Sequence, residues 1–166
     1  MKTITLSLEI EVYQNAEELP KELALLLKKA KEAALSAYSP YSHFKVGAAI
    51  MLNNGAIVTG NNQENAAYPS GLCAERTAAF YASSQYPQVP FTRIAITAIN
   101  PEQELLCPVS PCGSCRQALL EYEEKFNQNI EVILSGQTGN VFVIQSIKDL
   151  LPCSFGANFL LDGNIK

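Results

Sequence analysis

The 166-residue sequence has no apolar run near the ~18 residues that a membrane-spanning helix needs. After Met1-Lys2-Thr3 the chain alternates apolar and polar residues, so the continuous apolar core of a secretory leader is missing. Basic residues are scarce: twelve Lys and Arg stand against sixteen Asp and Glu, a net charge of −4. That balance does not build the basic face a long polyanion requires, which argues against a nucleic-acid polymer and leaves nucleosides and mononucleotides open. Internal repeats, low-complexity tracts and long linkers are absent, and one domain is expected. The five cysteines are an odd count without a leader, which points to a reducing, cytoplasmic setting where thiols bind metal, react or sit in a core.

What is present is globular. Apolar residues make up 48% and charged residues 17%. A chain of this size buries roughly two-thirds of its unfolded surface and needs no disulfide staples.

Period-two alternation from Thr3 to Val12 predicts a strand with one wet face, at a sheet edge or in a contact between subunits. Pro20 suits the first turn of a helix, and Leu23, Leu26, Leu27, Ala30, Ala34 and Leu35 recur at helical spacing. Lys45–Leu52 and Ala56–Gly60 read as a hairpin around Asn53-Asn54-Gly55. A helix over Cys73–Ser84, a strand over Arg93–Ile99, a helix from Pro111-Cys112 to Phe126 and a strand over Ile130–Leu134 follow. A last strand, Val141–Gln145, leads to a short helix over Ser146–Leu151, capped by Ser146 with Asp149 three residues on. Strands alternating with helices predict an α/β layered fold with a mixed sheet.

Two segments carry chemistry: Cys73-Ala74-Glu75-Arg76 and Pro111-Cys112-Gly113-Ser114-Cys115-Arg116. Both fall at expected helix N-termini, where free N–H groups and the positive dipole end favour thiolate over thiol. Three thiolates converging from two helices would offer zinc three sulfurs and leave its fourth position open, the pattern of a catalytic site. Glu75, two residues after its cysteine, is placed to move protons beside that position. Three thiolates overcompensate Zn²⁺, and Arg76, with Arg116 as a second candidate, could donate hydrogen bonds to sulfur and restore the acidity of the metal. Other readings stand beside this one. Cys112-x-x-Cys115 alone suits a redox pair, and a structural zinc could take Cys107 or Cys153 as a fourth ligand. Neither accounts for the Cys-Ala-Glu-Arg segment upstream.

At these residues the sequence resembles the cytidine deaminase family, of the small, three-cysteine zinc type. The resemblance spans Ala37 to Phe155. It runs through Tyr38-Ser39-Pro40-Tyr41-Ser42-His43-Phe44-Lys45-Val46-Gly47-Ala48-Ala49, then Gly60-Asn61-Asn62-Gln63-Glu64-Asn65-Ala66-Ala67-Tyr68 and Cys73-Ala74-Glu75-Arg76-Thr77. Ser110-Pro111-Cys112-Gly113-Ser114-Cys115-Arg116-Gln117 and Leu150-Leu151-Pro152-Cys153-Ser154-Phe155 complete it. It implies a three-layer α/β/α sandwich with a mixed sheet, and an enzyme that converts cytidine and 2′-deoxycytidine to uridine and 2′-deoxyuridine plus ammonia in pyrimidine salvage. One Zn²⁺ per chain would sit on Cys73, Cys112 and Cys115, with zinc-bound hydroxide attacking C4 and Glu75 as proton shuttle.

The same resemblance implies the substrate contacts. Asn62 and Glu64 match the pair that binds the ribose 3′-hydroxyl, and their i, i+2 spacing puts both side chains on one face of an extended segment. Phe44 matches the ring against the base, while the Ala74 N–H and the Ser110 carbonyl match contacts to the base edge and leaving amine. Phe155 matches an aromatic that reaches a neighbouring subunit of a homotetramer. Structural roles remain open beside these: Phe44 as core, Asn62, Glu64 and Asn65 as turn caps, Phe155 as plain packing. His43, the only histidine, reads as a loop residue, and Cys107 and Cys153 as free thiols. The family begins close to the first helix, so residues 1–19 are expected to form a strand extension and 20–166 the catalytic domain. A deaminase of another cytosine nucleoside and a non-catalytic zinc or interaction module are the rival functions; an editing enzyme would need a basic channel. The expected partner is a small nucleoside, with no nucleic-acid polymer and no membrane.

Overall fold

Leucines at helical spacing after Pro20 form α1, Lys21–Leu35, in the computed structural model, which describes residues 1–161. The last five residues of the expected catalytic domain, 162–166, lie outside the described part. Leu23, Leu26, Leu27, Ala30 and Ala34 are buried along one stripe, and Leu35 at its end is exposed. The remaining elements are β1 (Glu11–Tyr13), β2 (Lys45–Leu52), β3 (Ile57–Asn61), α2 (Ala74–Gln85), β4 (Phe91–Ile99), α3 (Gly113–Phe126), β5 (Glu131–Ser135), β6 (Val141–Ile144) and the short α4 (Asn158–Leu161). The hairpin forms as its sequence predicts, with Gly55 at φ +84°, a conformation in which a side chain is strained.

The strands make one six-stranded sheet in the order β1-β6-β5-β4-β2-β3. Only β4 and β5 run parallel, joined through α3; every other pairing is antiparallel. Side-chain alternation sorts the core into two layers. Ala49, Ala95, Ile133, Val141 and Val143 face α1. Ala48, Ile50, Ile94, Ile96, Val132 and Leu134 face the opposite way, packing with Ala74 and Ala78 of α2 and with Leu119 and Leu120 of α3. The expected α/β/α sandwich with a mixed sheet is therefore the observed fold. No helix among the described residues is long and apolar enough to cross a membrane.

The N-terminal strand is shorter than its alternation predicts. Glu11, Val12 and Tyr13 pair with Val143, Phe142 and Val141. Beyond Ile10, which would face Ile144, that register would need partners past the end of β6, where the chain turns at Ser146 into a 3-10 turn, Ile147–Leu150. Thr3–Ile10 therefore adopt no regular structure, and Ile4, Leu6, Leu8 and Ile10 are exposed.

The Ser146 cap forms, with its side chain accepting the Lys148 N–H at 3.1 Å. Its hydroxyl is directed to Glu123 of α3, and the same carboxylate accepts the Ile147 N–H at 2.9 Å. Burial raises the pKa of Glu123, opposed by these hydrogen bonds.

Helix α1 lies hard against β2 at Gly47, where a Cβ would stand 2.0 Å from the Ala30 carbonyl oxygen and 2.6 Å from the Ala34 nitrogen. Both obstacles are backbone and cannot rotate aside. Gly47→Ala is expected to destabilise the fold by about 1–3 kcal/mol through overpacking. Urea titration should show a lower midpoint at an unchanged slope.

Candidate active site

Two helix N-termini meet on the α2/α3 face of the sheet. Cys73 is the N-cap of α2 and Cys112 the N-cap of α3; both have extended backbone, and neither sulfur is spent on a capping bond. Cys115 lies one turn into α3 and is fully buried. The three Sγ atoms lie within 4.8 Å of one another, with Cys73 and Cys112 at 3.9 Å. Zinc–sulfur bonds of about 2.3 Å at tetrahedral angles set sulfurs about 3.8 Å apart, so the donor set fits this ion. Among the described residues the cluster contains these three and neither Cys107 nor Cys153, which are exposed. A four-cysteine structural site is not what the fold assembles, and the third sulfur sets the cluster apart from a two-cysteine redox pair.

The approach of α2 to the sheet is set by Gly60 of β3. A Cβ there would stand 2.5 Å from the Ala78 nitrogen and 2.7 Å from the Ala74 carbonyl oxygen. That close contact brings the first turn of α2 down onto the sheet. Ala74 is fully buried as the first residue of the helix, and Glu75, second, is only 4% exposed. Burial pushes the Glu75 carboxyl up, and the charge of Cys73 adds to the shift.

Arg76 donates to Cys73 Sγ at 3.6 Å, as expected, and its Nε is buried without a hydrogen-bond partner among the described residues. Hydrogen bonds from Cys115, Arg76 and Cys112 draw the Cys73 thiol down to about 5, while Cys115, facing that thiolate from a buried position, is pushed up. The cluster thus takes its first negative charge on Cys73. Arg116 does something other than its sequence position suggests. Its Nε donates to the Pro111 carbonyl at 2.8 Å and its guanidinium to the Leu150 carbonyl at 2.9 Å. It ties the loop before Cys112 to the 3-10 turn.

Phe44, Asn62 and Glu64 form a second group at the end of the β2–β3 pair. Asn62 donates to the Phe44 carbonyl at 2.9 Å and accepts the Val46 N–H at 2.7 Å through its side-chain amide. Glu64 accepts from Tyr41 and Ser42 in the turn before β2, and these bonds, that of the Ser42 hydroxyl first, hold its carboxyl low. Gln63, between them, pairs with Leu72 through two backbone hydrogen bonds of 2.8 and 2.9 Å. That bridge sets the second group one residue from Cys73. Ser110 is exposed two residues before Cys112. Phe155 is 56% exposed, stacks on Phe159 at 5.3 Å, and its carbonyl accepts from Gln117 of α3 at 2.8 Å. His43 is an exposed loop residue with φ +55°. Ser42 is the participant that sequence reasoning passed over; a hydroxyl two residues before Phe44 is the usual sign of a side-chain turn, and its Oγ accepts the Phe44 N–H.

Residues 20–127 match the family described as the cytidine and deoxycytidylate deaminase zinc-binding region. The chain is similar to the cytidine deaminase of Halalkalibacterium halodurans, 38% identical over 138 residues, which span 83% of this chain and 97% of that protein. The cytidine deaminase of Mycobacterium tuberculosis is 39% identical over 136 residues, 82% of this chain and 91% of the relative. The crystal structure of cytidine deaminase from Burkholderia pseudomallei superposes with a TM-score of 0.70 at 40% identity, covering 82% of this chain and 100% of that one. With two-thirds of its length inside the matched region, which contains all three clustered sulfurs, the chain belongs to the cytidine and deoxycytidylate deaminase zinc-binding family.

Proposed function

We propose that the chain hydrolyses cytidine and 2′-deoxycytidine to uridine and 2′-deoxyuridine with release of ammonia, in pyrimidine salvage in the cytoplasm. The observation that carries this reading is a buried carboxylic acid, Glu75, beside three converging sulfurs. A purely structural zinc site has no use for an acid kept in a desolvated place. Cys73, Cys112 and Cys115 would hold one zinc per chain, and bound there it would supply the Lewis acidity that lowers the pKa of a water toward neutral.

Glu75 would take one proton from the attacking water and deliver it to N3 of the pyrimidine, then carry the proton of the hydroxyl now on C4 to the departing amine, so that C4–N breaks as ammonia leaves. Its raised pKa suits a group that must both accept and return a proton. The Ala74 N–H and the Ser110 carbonyl contact the base edge and the amine, and Phe44 packs against the ring. Asn62 and Glu64 hold the ribose 3′-hydroxyl: with one Nδ2 hydrogen given to Phe44, the other remains to donate, and Glu64 accepts. Arg76 donates to Cys73 and, with zinc bound, would draw charge from that sulfur and keep the metal acidic.

Residues 20–166 form the catalytic domain in this reading, and 1–19 are an extension; the family match beginning at residue 20 supports that boundary. In this reading the chain assembles as a homotetramer, and the exposed Phe155 would be free to meet a neighbouring subunit. Light scattering should give four chains per particle, and Phe155→Ala should raise the KM; a monomer with unchanged KM would remove that assignment.

Loss of cytidine absorbance with zinc-replete protein tests the reaction. Glu75→Ala should keep one zinc per chain and lose several orders of magnitude in turnover. Near-normal turnover would overturn the shuttle, and no reaction of the parent protein with either nucleoside would shift the substrate to another cytosine nucleoside. Arg76→Gln should shift the pH–rate profile and weaken zinc retention against a chelator; no change in either would remove its role.

Metal content offers a separate check. Cys112→Ala should lose zinc and activity together, and activity persisting without zinc would contradict the ligand set.

A further inference from the structure

Glu64 is held by both of its carboxylate oxygens, and the two are held differently. Oε2 accepts the Tyr41 N–H at 2.9 Å and the Ser42 N–H at 3.3 Å. Oε1 accepts the Ser42 hydroxyl. A carboxylate oxygen offers about two acceptor sites, so Oε2 is filled and Oε1 keeps one free. The two backbone donors share one oxygen and leave the carboxylate able to swing about it. Ser42 supplies the second point of attachment that stops the swing.

The same hydroxyl reaches Phe44. Ser42 Oγ accepts the Phe44 N–H at 3.1 Å while Asn62 takes the Phe44 carbonyl at 2.9 Å, so both backbone groups of Phe44 are bound by side chains of this cluster. One serine thereby fixes the orientation of Glu64 and the backbone carrying Phe44, though its own proton is already committed to Oε1.

We propose that Ser42 is the positioning residue for sugar selectivity: its hydroxyl locks Glu64 so that the free site on Oε1 faces the 3′-hydroxyl of a nucleoside. The inference rests on the assignment of Glu64 to that hydroxyl under the proposed function, and it adds the group that makes the assignment work. A charge-assisted hydrogen bond of this kind is worth about tenfold or more in an equilibrium constant. Without Ser42 the carboxylate must be ordered each time a sugar binds.

The test compares cytidine with 3′-deoxycytidine as substrates, and uridine with 3′-deoxyuridine as ligands in calorimetry, for the parent, Ser42→Ala, Ser42→Cys, Ser42→Thr and Glu64→Gln. Ser42→Ala should lower the preference for the 3′-hydroxyl about tenfold, through KM for cytidine and through the uridine dissociation constant. Ser42→Thr, which keeps the hydroxyl, should restore it. Ser42→Cys keeps the bulk with a weak donor and should follow the alanine variant, which separates the hydroxyl from packing or folding effects. If Glu64→Gln loses the preference while folded Ser42→Ala and Ser42→Cys retain it, the role of Ser42 is refuted and that of Glu64 stands. If Glu64→Gln keeps the full preference, the Glu64 assignment fails and this inference fails with it.

Discussion

Three sulfurs within 4.8 Å of one another face a charge problem that governs the surrounding structure. Two thiolates 4 Å apart repel by about 4 kcal/mol at an effective dielectric of about 20, and a third adds two more such terms. The protein's own resources answer only part of this. The N-termini of α2 and α3 turn their positive ends toward the cluster, and the Arg76 guanidinium touches Cys73. Those contacts favour a thiolate on Cys73, while hydrogen bonding to that thiolate and burial beside it raise the pKa of Cys115. A divalent cation among the sulfurs would offset the repulsion and favour ionising all three. The family's zinc and the geometry of the cluster therefore answer the same electrostatic demand.

Bringing two helix ends that close requires the sheet beneath them to be nearly bare at selected points. Gly60 lets the first turn of α2 rest on β3 with no intervening Cβ. The parallel β4–β5 pair, the only one in the sheet, forces its connection to cross over one face, and α3 is that connection. Ile94, Ile96, Val132 and Leu134 clad that face in aliphatic side chains, so both helices bury their apolar sides there and their N-termini end side by side. On the other face α1 closes the sandwich at Gly47 by the same device. The precision of the cluster is thus a property of the packing of three layers.

Much of this was legible in the sequence because it is local. Cysteines at helix starts, a glutamate two residues on, and alternating aliphatic strands need only spacing to be read. What was not legible depends on partners far along the chain. Residues 3–12 alternate as a strand should, yet pairing is limited by the four residues of β6, and no local pattern in the N-terminus encodes that length. Arg116 sits one residue from Cys115, but a guanidinium takes the acceptors that tertiary packing supplies, and here they are the Pro111 and Leu150 carbonyls. Asn62 was identifiable from its motif, whereas its bonds to Phe44 and Val46 arise only once the hairpin closes. The Ser146 cap was legible too, whereas the buried Glu123 that accepts from its hydroxyl comes from α3, far along the chain.

Two glutamates eleven positions apart in sequence show how environment divides labour between identical side chains. Glu75 is enclosed at the base of α2, where losing water raises the cost of its charge and makes the proton easy to hold. Glu64 stands in a turn that aims two N–H groups and a hydroxyl at it, and these favour the charged form. The first suits a group that gains and loses protons during a reaction; the second suits a fixed acceptor that must not. Exchanging these surroundings would leave the residue types unchanged and remove both capabilities. In the proposed function, recognition by Glu64 and proton transfer by Glu75 would be kept apart by different means, hydrogen-bond donors in one place and desolvation in the other. The Gln63–Leu72 bridge ties the segment carrying Glu64 to the residue before Cys73, and Glu75 follows that cysteine by two.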